Sequence, residues 1–357
     1  MPIGFPGLFG GFTIDPDPIA LHMGHGVYWY GIILALGLLA GLYLCMKQSK
    51  RFGLSEDNVL DMILWATPCC IIGSRIYYVI FYLDLYRNAD GSLDWSRVVA
   101  IWDGGIAMYG TVIVGLLVAY LFCRRKKLSF FAMTDLCVMG LFLGQCIGRW
   151  GNFMNREAFG VETTLPWRMQ LWVSQYQSIE VHPTFFYESL WNLVGLLLAL
   201  FVVSRARRFD GENTCFYFLW YGLGRAWIEG LRTDSLYLFD WTFFGQPIRV
   251  SQALSIVMAV VAAVVLFYNI KIKKRDGTEL FVLRVQEAAA QEAALTAEDS
   301  AMADAALETG KPAPGLGQGA DTVSQTAPET AEQTADAPMA DTQTDGEEPA
   351  EKPADQN

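Results

Sequence analysis

Histidine is scarce in this sequence, and cysteine pairs of the metal-binding type are missing. The 357 residues include three histidines, His22, His25 and His182, and seven cysteines with no C-x-x-C spacing. Transition-metal sites are usually built from such pairs and from clustered histidines. Because all seven cysteines lie in apolar stretches, we expect reduced thiols that pack as small hydrophobic side chains. A metal centre is therefore not expected.

Charged residues are also sparse, and they are unevenly distributed. They form 18% of the chain against 53% hydrophobic residues, and the mean hydropathy is +0.27. This composition excludes an ordinary soluble domain of this size and indicates a membrane-embedded protein. The acidic net charge of −11 comes from residues 277–357, which contain 17 Asp and Glu but 3 Lys and Arg, whereas residues 1–276 are slightly basic, with 20 Asp and Glu and 23 Lys and Arg. Basic residues outside that region occur only in short runs, so nucleic acid is not an expected partner.

Seven segments are long and apolar enough to cross a bilayer. A helix needs about 20 such residues, because the hydrocarbon core is about 30 Å thick and each residue rises about 1.5 Å. Three segments are uncharged, whereas four contain ionisable groups that require a polar environment. The uncharged segments are 27–46, 106–123 and 250–270, and the others are 59–83, 131–150, 184–203 and 214–231. We predict an all-α, polytopic membrane protein with seven transmembrane helices.

Basic residues follow every second segment and predict the orientation. These clusters lie within residues 47–51, 124–127, 205–208 and 271–275. By the positive-inside rule they face the cytoplasm, which places the N-terminus outside and the C-terminus in the cytoplasm.

Three regions follow from this pattern. Residues 1–26 lack the basic start of a cleavable signal peptide and are predicted to form an extracytoplasmic arm at the membrane interface. Residues 27–276 form the membrane domain. Residues 277–357 are predicted to be an acidic, largely disordered cytoplasmic tail with a short helix near 279–298.

Ionisable residues of the apolar segments concentrate in the predicted outer half of the membrane. Arg75, Arg149, Glu188, Arg225 and Glu229 all fall there. Two exceptions, Asp61 and Asp135, lie near cytoplasmic helix starts, and we expect them to cap helices or contact loops.

Helical spacing aligns these polar residues into two stripes. Residues three or four apart share a helix face, which groups Arg149, Asn152 and Asn155 on one segment. The same spacing groups Tyr221, Arg225, Glu229 and Arg232 on another. An arginine in lipid needs a polar partner, so both stripes should face inward, toward Glu157, Glu188, Glu229 or an anionic ligand. The alternative is that Arg and Glu only neutralise each other between helices.

Two rows of glycine predict close helix packing. Gly140, Gly144 and Gly148 repeat at four-residue spacing, as do Gly37 and Gly41. Small residues at this spacing let helix backbones approach each other in membranes.

One motif carries a family likeness. Residues 148–160, GRWGNFMNREAFG, resemble the signature G-R-x-G-N-F-x-N-x-E-x-x-G of phosphatidylglycerol:prolipoprotein diacylglyceryl transferases. Further matches follow the same order along the chain: Gly104 to Gly110, His182-Pro183-Thr184 with Tyr187-Glu188, and Tyr221-Gly222 with Arg225, Glu229 and Arg232. The likeness covers about residues 15–275.

The resemblance implies an enzyme of the bacterial cytoplasmic (inner) membrane without metal or nucleotide cofactor. It would transfer diacylglyceryl from phosphatidylglycerol to the lipobox cysteine of a prolipoprotein, as the first step of lipoprotein maturation. Arg149, Arg225 and Tyr109 would be catalytic. The residues expected to bind substrate or shape the site are Tyr30, Asn152, Asn155, Glu157, Gly160, Tyr187, Glu188, Tyr221, Glu229 and Arg232.

Two positions depart from the family pattern. Tyr109 stands where well-known members have histidine, and Phe185 where a polar residue is usual. A phenol with a pKa near 10 is a poor base at neutral pH, so Tyr109 is expected to position the donor, with His182 as the other candidate base. A transporter or receptor for an anionic lipid is the alternative function, because the same arginines would bind such a lipid without bond breaking.

Overall fold

A computed structural model describes most of the chain. It covers residues 2–8, 10–22, 26–88, 90–172, 174, 176–233, 237–243 and 246–309, with backbone only at 103, 237–243, 246–248 and 302–309. The chain divides into two compact units, residues 1–293 and residues 294–357.

The first unit is mainly helical, as predicted. Its helices are α1 (Trp29–Gln48), α2 (Glu56–Phe81), α3 (Trp95–Val99), α4 (Met108–Lys126), α5 (Phe130–Asn155), α6 (Thr184–Leu198), α7 (Glu212–Leu231) and α8 (Val250–Phe267), and α9 (Phe281–Thr309) starts in it. Within the described residues, six helical stretches are long and apolar enough to cross a membrane: Trp29–Phe52, Glu56–Phe81, Met108–Lys126, Phe130–Asn155, Thr184–Val203 and Val250–Ile272. A polytopic membrane protein is confirmed.

Helix α7 occupies the remaining predicted segment, 214–231. It is a 20-residue helix but is not one of the six apolar stretches. Buried Asn213 and Glu229 contribute to its polar character. The seventh crossing therefore stays a prediction.

A small sheet lies beside the helices and was not predicted from the sequence. Strands β1 (Ile3–Phe5), β2 (Phe12–Ile14), β5 (Met169–Trp172) and β6 (Ser178–Val181) pair antiparallel in the order β2-β1-β5-β6, with Ile3 opposite Ile14 and Leu171. Two hairpins complete the strands: β3 (Ile19–Leu21) with β4 (Val27–Tyr28), and β7 (Tyr237–Phe243) with β8 (Gln246–Arg249). The N-terminal arm is thus part of a sheet, and it lies on the same side as the loop between α5 and α6.

The basic connections gather on the opposite side, as the charge pattern predicts. Lys126 Nζ lies 3.2 Å from Asp61 Oδ2, and Arg51 Nη1 donates to the carbonyl of Leu200 at 3.2 Å. Asp135 is fully buried and accepts from the N–H groups of Gly211 and Thr214, which caps the start of α7. Asp135 therefore caps a helix, as expected, whereas Asp61 contacts the last residue of α4 and not a loop.

The largest core lies toward these basic connections. Phe52, Met133, Leu136, Met139 and Phe142 are all fully buried in it. A smaller core of Ile3, Met169, Leu171, Val181 and Phe185 attaches the sheet to the start of α6. Phe185, which departs from the family pattern, therefore packs in an apolar cluster. All seven cysteines are free thiols, as expected.

Glycine lets α1 and α5 pack closely. A Cβ added at Gly41 would lie 2.8 Å from the carbonyl oxygen of Gly140, and one added at Gly37 would lie 3.2 Å from that of Gly144. The predicted glycine rows thus form the contact that places α5, which carries Arg149, against α1.

Helix α9 extends beyond the predicted end at 298. It reaches Thr309, so residues 299–309 of the expected disordered tail are helical. The Ala- and Glu-rich composition of this stretch favours a helix. Residues 310–357 lie outside the described part of the chain.

We expect Gly41→Ala to lower the thermal unfolding temperature in detergent, because the added methyl forces the α1 and α5 backbones apart at a cost of about 1–3 kcal/mol. Gly31→Ala on the same helix is the control, since a Cβ there meets nothing within 4 Å. Equal melting temperatures for the two variants would contradict this account of the α1–α5 contact.

Candidate active site

Glu188 contacts three arginines. Arg149 lies on α5 and Arg225 on α7, and Arg232 directly follows α7. Glu188 Oε2 lies 2.5 Å from Arg149 Nη2, and its Oε1 lies 3.0 Å from Arg225 Nη1 and 3.6 Å from Arg232 Nη1. The carboxylate side chain is 5% exposed. Helix α5 ends, α6 begins and α7 ends on the side of the sheet, so these side chains meet at one level. The two predicted arginine stripes therefore face each other across Glu188.

Further polar contacts extend this cluster in both directions. Arg225 Nη2 lies 2.7 Å from Glu229 Oε2, one helical turn along α7. Arg149 Nη1 donates to Asn152 Oδ1 at 3.5 Å, and the amide of Asn152 donates to Glu157 Oε1 at 2.9 Å. The amide of Asn155 donates to the same Glu157 oxygen at 3.4 Å. A continuous polar chain thus runs from Glu229 to Glu157, and we call it the Glu188 cluster.

Two tyrosines of the predicted set lie beside the cluster. A Cβ at Gly151, two residues after Arg149, would lie 2.6 Å from the ring of Tyr30, so α1 approaches α5 closely here. Tyr221 stacks on Tyr217 with ring centroids 5.6 Å apart. Tyr221, Glu188 and Arg225 line a cavity of about 10 Å³. That volume suits a single water molecule.

Gly160 holds the loop after α5 between two helix ends. Its N–H donates to the carbonyl of His182, and it forms an isolated antiparallel bridge with Arg232. An added Cβ would lie 2.7 Å from the Cβ of His182 and 3.0 Å from the carbonyl oxygen of Leu231. Gly160 therefore keeps the start of α6 and the end of α7 together, which positions Glu188 against Arg232.

Tyr187 belongs to a separate group on the sheet side. The indole N–H of Trp167 donates to its hydroxyl at 2.7 Å, and His182 Nδ1 lies 3.2 Å from the same oxygen. Burial lowers the pKa of His182, which favours a neutral ring. His182 Nδ1 and the Tyr187 hydroxyl share one hydrogen bond, whose direction is set by the tautomer of the neutral ring. His182 and Tyr187 therefore contact each other beside the strands.

Tyr109 is the second residue of α4. Its ring centroid is 6.3 Å from that of Tyr77, and the side chain is about half exposed. Among the described residues, no hydrogen bond joins Tyr109 to the arginines or carboxylates of the cluster. The catalytic role that the resemblance implies for Tyr109 stays a prediction.

Four residues near the Glu188 cluster were not predicted from the sequence. Asn192 lines the small cavity, and its buried Oδ1 has no hydrogen-bond partner among the described residues. Gln145 donates to the Tyr217 hydroxyl at 2.7 Å. Asn192 follows Glu188 by four residues and Gln145 precedes Arg149 by four, so the helical spacing used above would have found both. Arg249, which donates to the carbonyl of Glu229, and Gln252, which donates to that of Ala226, had no comparable signal.

Arg149 and Arg225 retain hydrogen-bonding capacity despite their ion pairs. A guanidinium has five N–H donors, and the Nε–H of each arginine has no partner within the described part of the chain. Their side chains are 21% and 16% exposed. The ion pairs of one interpretation are therefore present, and contact of these arginines with an anionic ligand stays a prediction.

Known proteins match most of this chain. The model of the family described as prolipoprotein diacylglyceryl transferase matches residues 18–268. The chain belongs to this family. Named phosphatidylglycerol–prolipoprotein diacylglyceryl transferases are 40% identical in Finegoldia magna over 260 residues (72% of this chain, 97% of the relative) and 43% identical in Limosilactobacillus reuteri over 259 residues (70% and 90%). A third, from Listeria monocytogenes, is 40% identical over 261 residues (71% and 90%).

The family match places the Glu188 cluster within the matched region. Arg149, Glu188 and Arg225 all lie between residues 18 and 268. Residues 1–17, including β1 and β2, and the helix α9 lie outside it. The diacylglyceryl transferase family assignment thus rests on the helices that build the cluster.

We expect Glu188→Gln to destabilise the protein by on the order of 3 kcal/mol, because it leaves buried guanidiniums facing a neutral amide. Glu180→Gln is the matched control, since Glu180 pairs with Arg168 at 2.6 Å on the sheet surface, where such a pair contributes about 0–1 kcal/mol. Thermal unfolding in detergent measures both. Similar small shifts would show that Glu188 is not the buried counter-ion described here.

Proposed function

We propose that this protein transfers the diacylglyceryl group of phosphatidylglycerol to the lipobox cysteine of a prolipoprotein. The family match and the names of relatives about 40% identical support this activity. The cysteine sulfur attacks the carbon of the diacylglyceryl group that is bonded to the phosphate oxygen. A C–S bond forms, and the bond between that carbon and the phosphate oxygen breaks. The products are a thioether-linked lipid, glycerol 1-phosphate and the proton of the thiol.

Arg149 and Arg225 hold the phosphate of the donor in this proposal. Negative charge grows on the phosphate as the C–O bond breaks, and permanently charged donors that are already in place stabilise it. Each arginine pairs with a different oxygen of Glu188, so one carboxylate holds the two guanidinium groups close to each other. This pairing supports the role. It is the one observation that carries the assignment.

Glu188 and the amides around it act as a support for these arginines. Glu188 offsets part of their charge while the donor is absent, and Glu229 restrains Arg225 from the other side. Glu157 orients Asn152, which contacts Arg149. The other predicted site residues shape or stabilise the surroundings of the substrates: Tyr30, Asn155, Gly160, Tyr187, Tyr221 and Arg232.

The predicted orientation places this chemistry in the outer leaflet of a bacterial cytoplasmic membrane. The Glu188 cluster lies on the sheet side of the bundle, opposite the basic connections. The positive-inside rule assigns the basic side to the cytoplasm. A membrane lipid and a newly translocated prolipoprotein segment can meet there, and holding both supplies proximity.

We expect Arg149→Ala and Arg225→Ala each to lower turnover by on the order of 100-fold or more, because each removes a donor to the leaving phosphate. The assay incubates purified protein in phosphatidylglycerol-containing detergent with a lipobox peptide. It measures glycerol phosphate release together with the mass gain on cysteine. Arg168→Ala, on the sheet surface, is the control and should keep normal turnover.

Two outcomes of this assay contradict the proposal. Normal turnover in both arginine variants removes them from the phosphate site. Binding of phosphatidylglycerol by the wild-type protein without either product favours a lipid transporter or receptor.

We expect Tyr109 to position the donor and not to accept a proton, because a phenol has a pKa near 10. Comparing Tyr109→Phe and Tyr109→His across pH tests this. A wild-type pH profile in the Phe variant, with turnover lowered at every pH, fits a positioning hydroxyl. Loss of one limb of the profile in the Phe variant, restored in the His variant, identifies a proton-transfer role instead.

A further inference from the structure

Arg75 is a buried arginine that does not take part in the Glu188 cluster. It lies on α2 and is 6% exposed. Within the described residues, all of its hydrogen bonds go to backbone carbonyls of residues 97–105. Its Nε donates to Val98 at 2.9 Å, its Nη1 to Gly104 at 2.5 Å and Gly105 at 2.8 Å, and its Nη2 to Arg97 at 2.6 Å and Ala100 at 3.2 Å.

These bonds use the full donor capacity of the side chain. A guanidinium carries five N–H groups in a fixed fork, and Arg75 has five carbonyl partners. The ring of Tyr86 covers it, with the guanidinium carbon 5.1 Å from the ring centroid. No donor is left for a phosphate, which separates Arg75 from Arg149 and Arg225.

The backbone around Arg75 is shaped to receive the guanidinium. Gly105 has φ +70°, and a Cβ there would lie 2.5 Å from Arg75 Nη1. The N–H of Ala107 donates to the carbonyl of Ser74, and a Cβ at Gly110 would lie 2.6 Å from the carbonyl oxygen of Gly73. The segment from Arg97 to Gly110 is therefore fitted closely to α2.

The outer face of this segment is apolar and exposed. Trp95, Val99, Trp102, Ile106 and Met108 are between 60% and 77% exposed, and they continue the apolar surface of α2. Irregular backbone beside lipid is stable only where its carbonyls are satisfied within the protein. Arg75 supplies that satisfaction for five carbonyls, and the first turn of α4 with Tyr109 follows directly.

We propose that Arg75 is a positioning residue, which clamps residues 97–105 against α2 and thereby fixes Tyr109 at the start of α4. Its effect on turnover rests on the transferase activity proposed above. Its effect on the backbone of residues 97–105 does not depend on that activity. The role needs the guanidinium fork and not only a positive charge, because lysine carries three donors on one atom and cannot reach carbonyls spread over nine residues.

The first test measures amide hydrogen exchange in residues 97–107 of full-length protein in phosphatidylglycerol nanodiscs. We expect exchange to rise by about tenfold or more in Arg75→Lys, because the clamp opens locally. Arg87→Lys is the matched control. It lies in the same connection, is exposed and, within the part of the chain that the structure describes, forms an ion pair with Asp84 alone, at 3.9 Å, so exchange should not change. Unchanged exchange in Arg75→Lys overturns the clamp, whether or not the protein is a transferase.

The second test is a double-mutant cycle on transfer to a lipobox peptide. We expect Arg75→Lys to lower kcat by on the order of 100-fold, as a misplaced group does, with a smaller change in KM for phosphatidylglycerol. In the Tyr109→Phe background the same substitution should add little, because Arg75 acts through Tyr109. Additive losses, or a loss confined to KM, overturn the positioning role. Absence of transfer by the wild type contradicts the proposed function and leaves the exchange result to decide the clamp.

Discussion

The site depends on one buried carboxylate that faces several guanidiniums. Glu188 is nearly fully buried, and both of its oxygens contact arginines. Removing a charge from water costs several kcal/mol unless an opposite charge is close, so none of these groups is stable at this depth alone. The end of α5, the start of α6 and the end of α7 must therefore meet. This requirement fixes where the charged groups lie along the helix bundle.

Close backbone packing makes that meeting possible. Gly37 and Gly41 bring α1 against α5, and Gly160 brings the loop after α5 between His182 and Leu231. The sheet formed by the N-terminal strands and the α5–α6 loop covers the same end of the bundle. The helices supply the charged groups, and these glycine contacts and strands set the distances between them.

Much of the helical fold and the centre of the site could be predicted from the sequence. Hydrophobic length predicts spanning helices, and three- or four-residue spacing predicts that Arg149 and Arg225 face a common partner, because helix geometry is regular. The sheet could not be predicted, since its strands have three or four residues and β1 pairs with β5 from far along the chain. The partners of Arg75 were equally hidden, because backbone carbonyls have no signature in a sequence.

The most direct test of this account is an experimental structure of the protein with phosphatidylglycerol bound. The account predicts that phosphate oxygens lie within about 3 Å of guanidinium nitrogens of both Arg149 and Arg225, with Glu188 still contacting at least one of them. A phosphate bound elsewhere, with Arg149 and Arg225 keeping the partners that they have here, would contradict it.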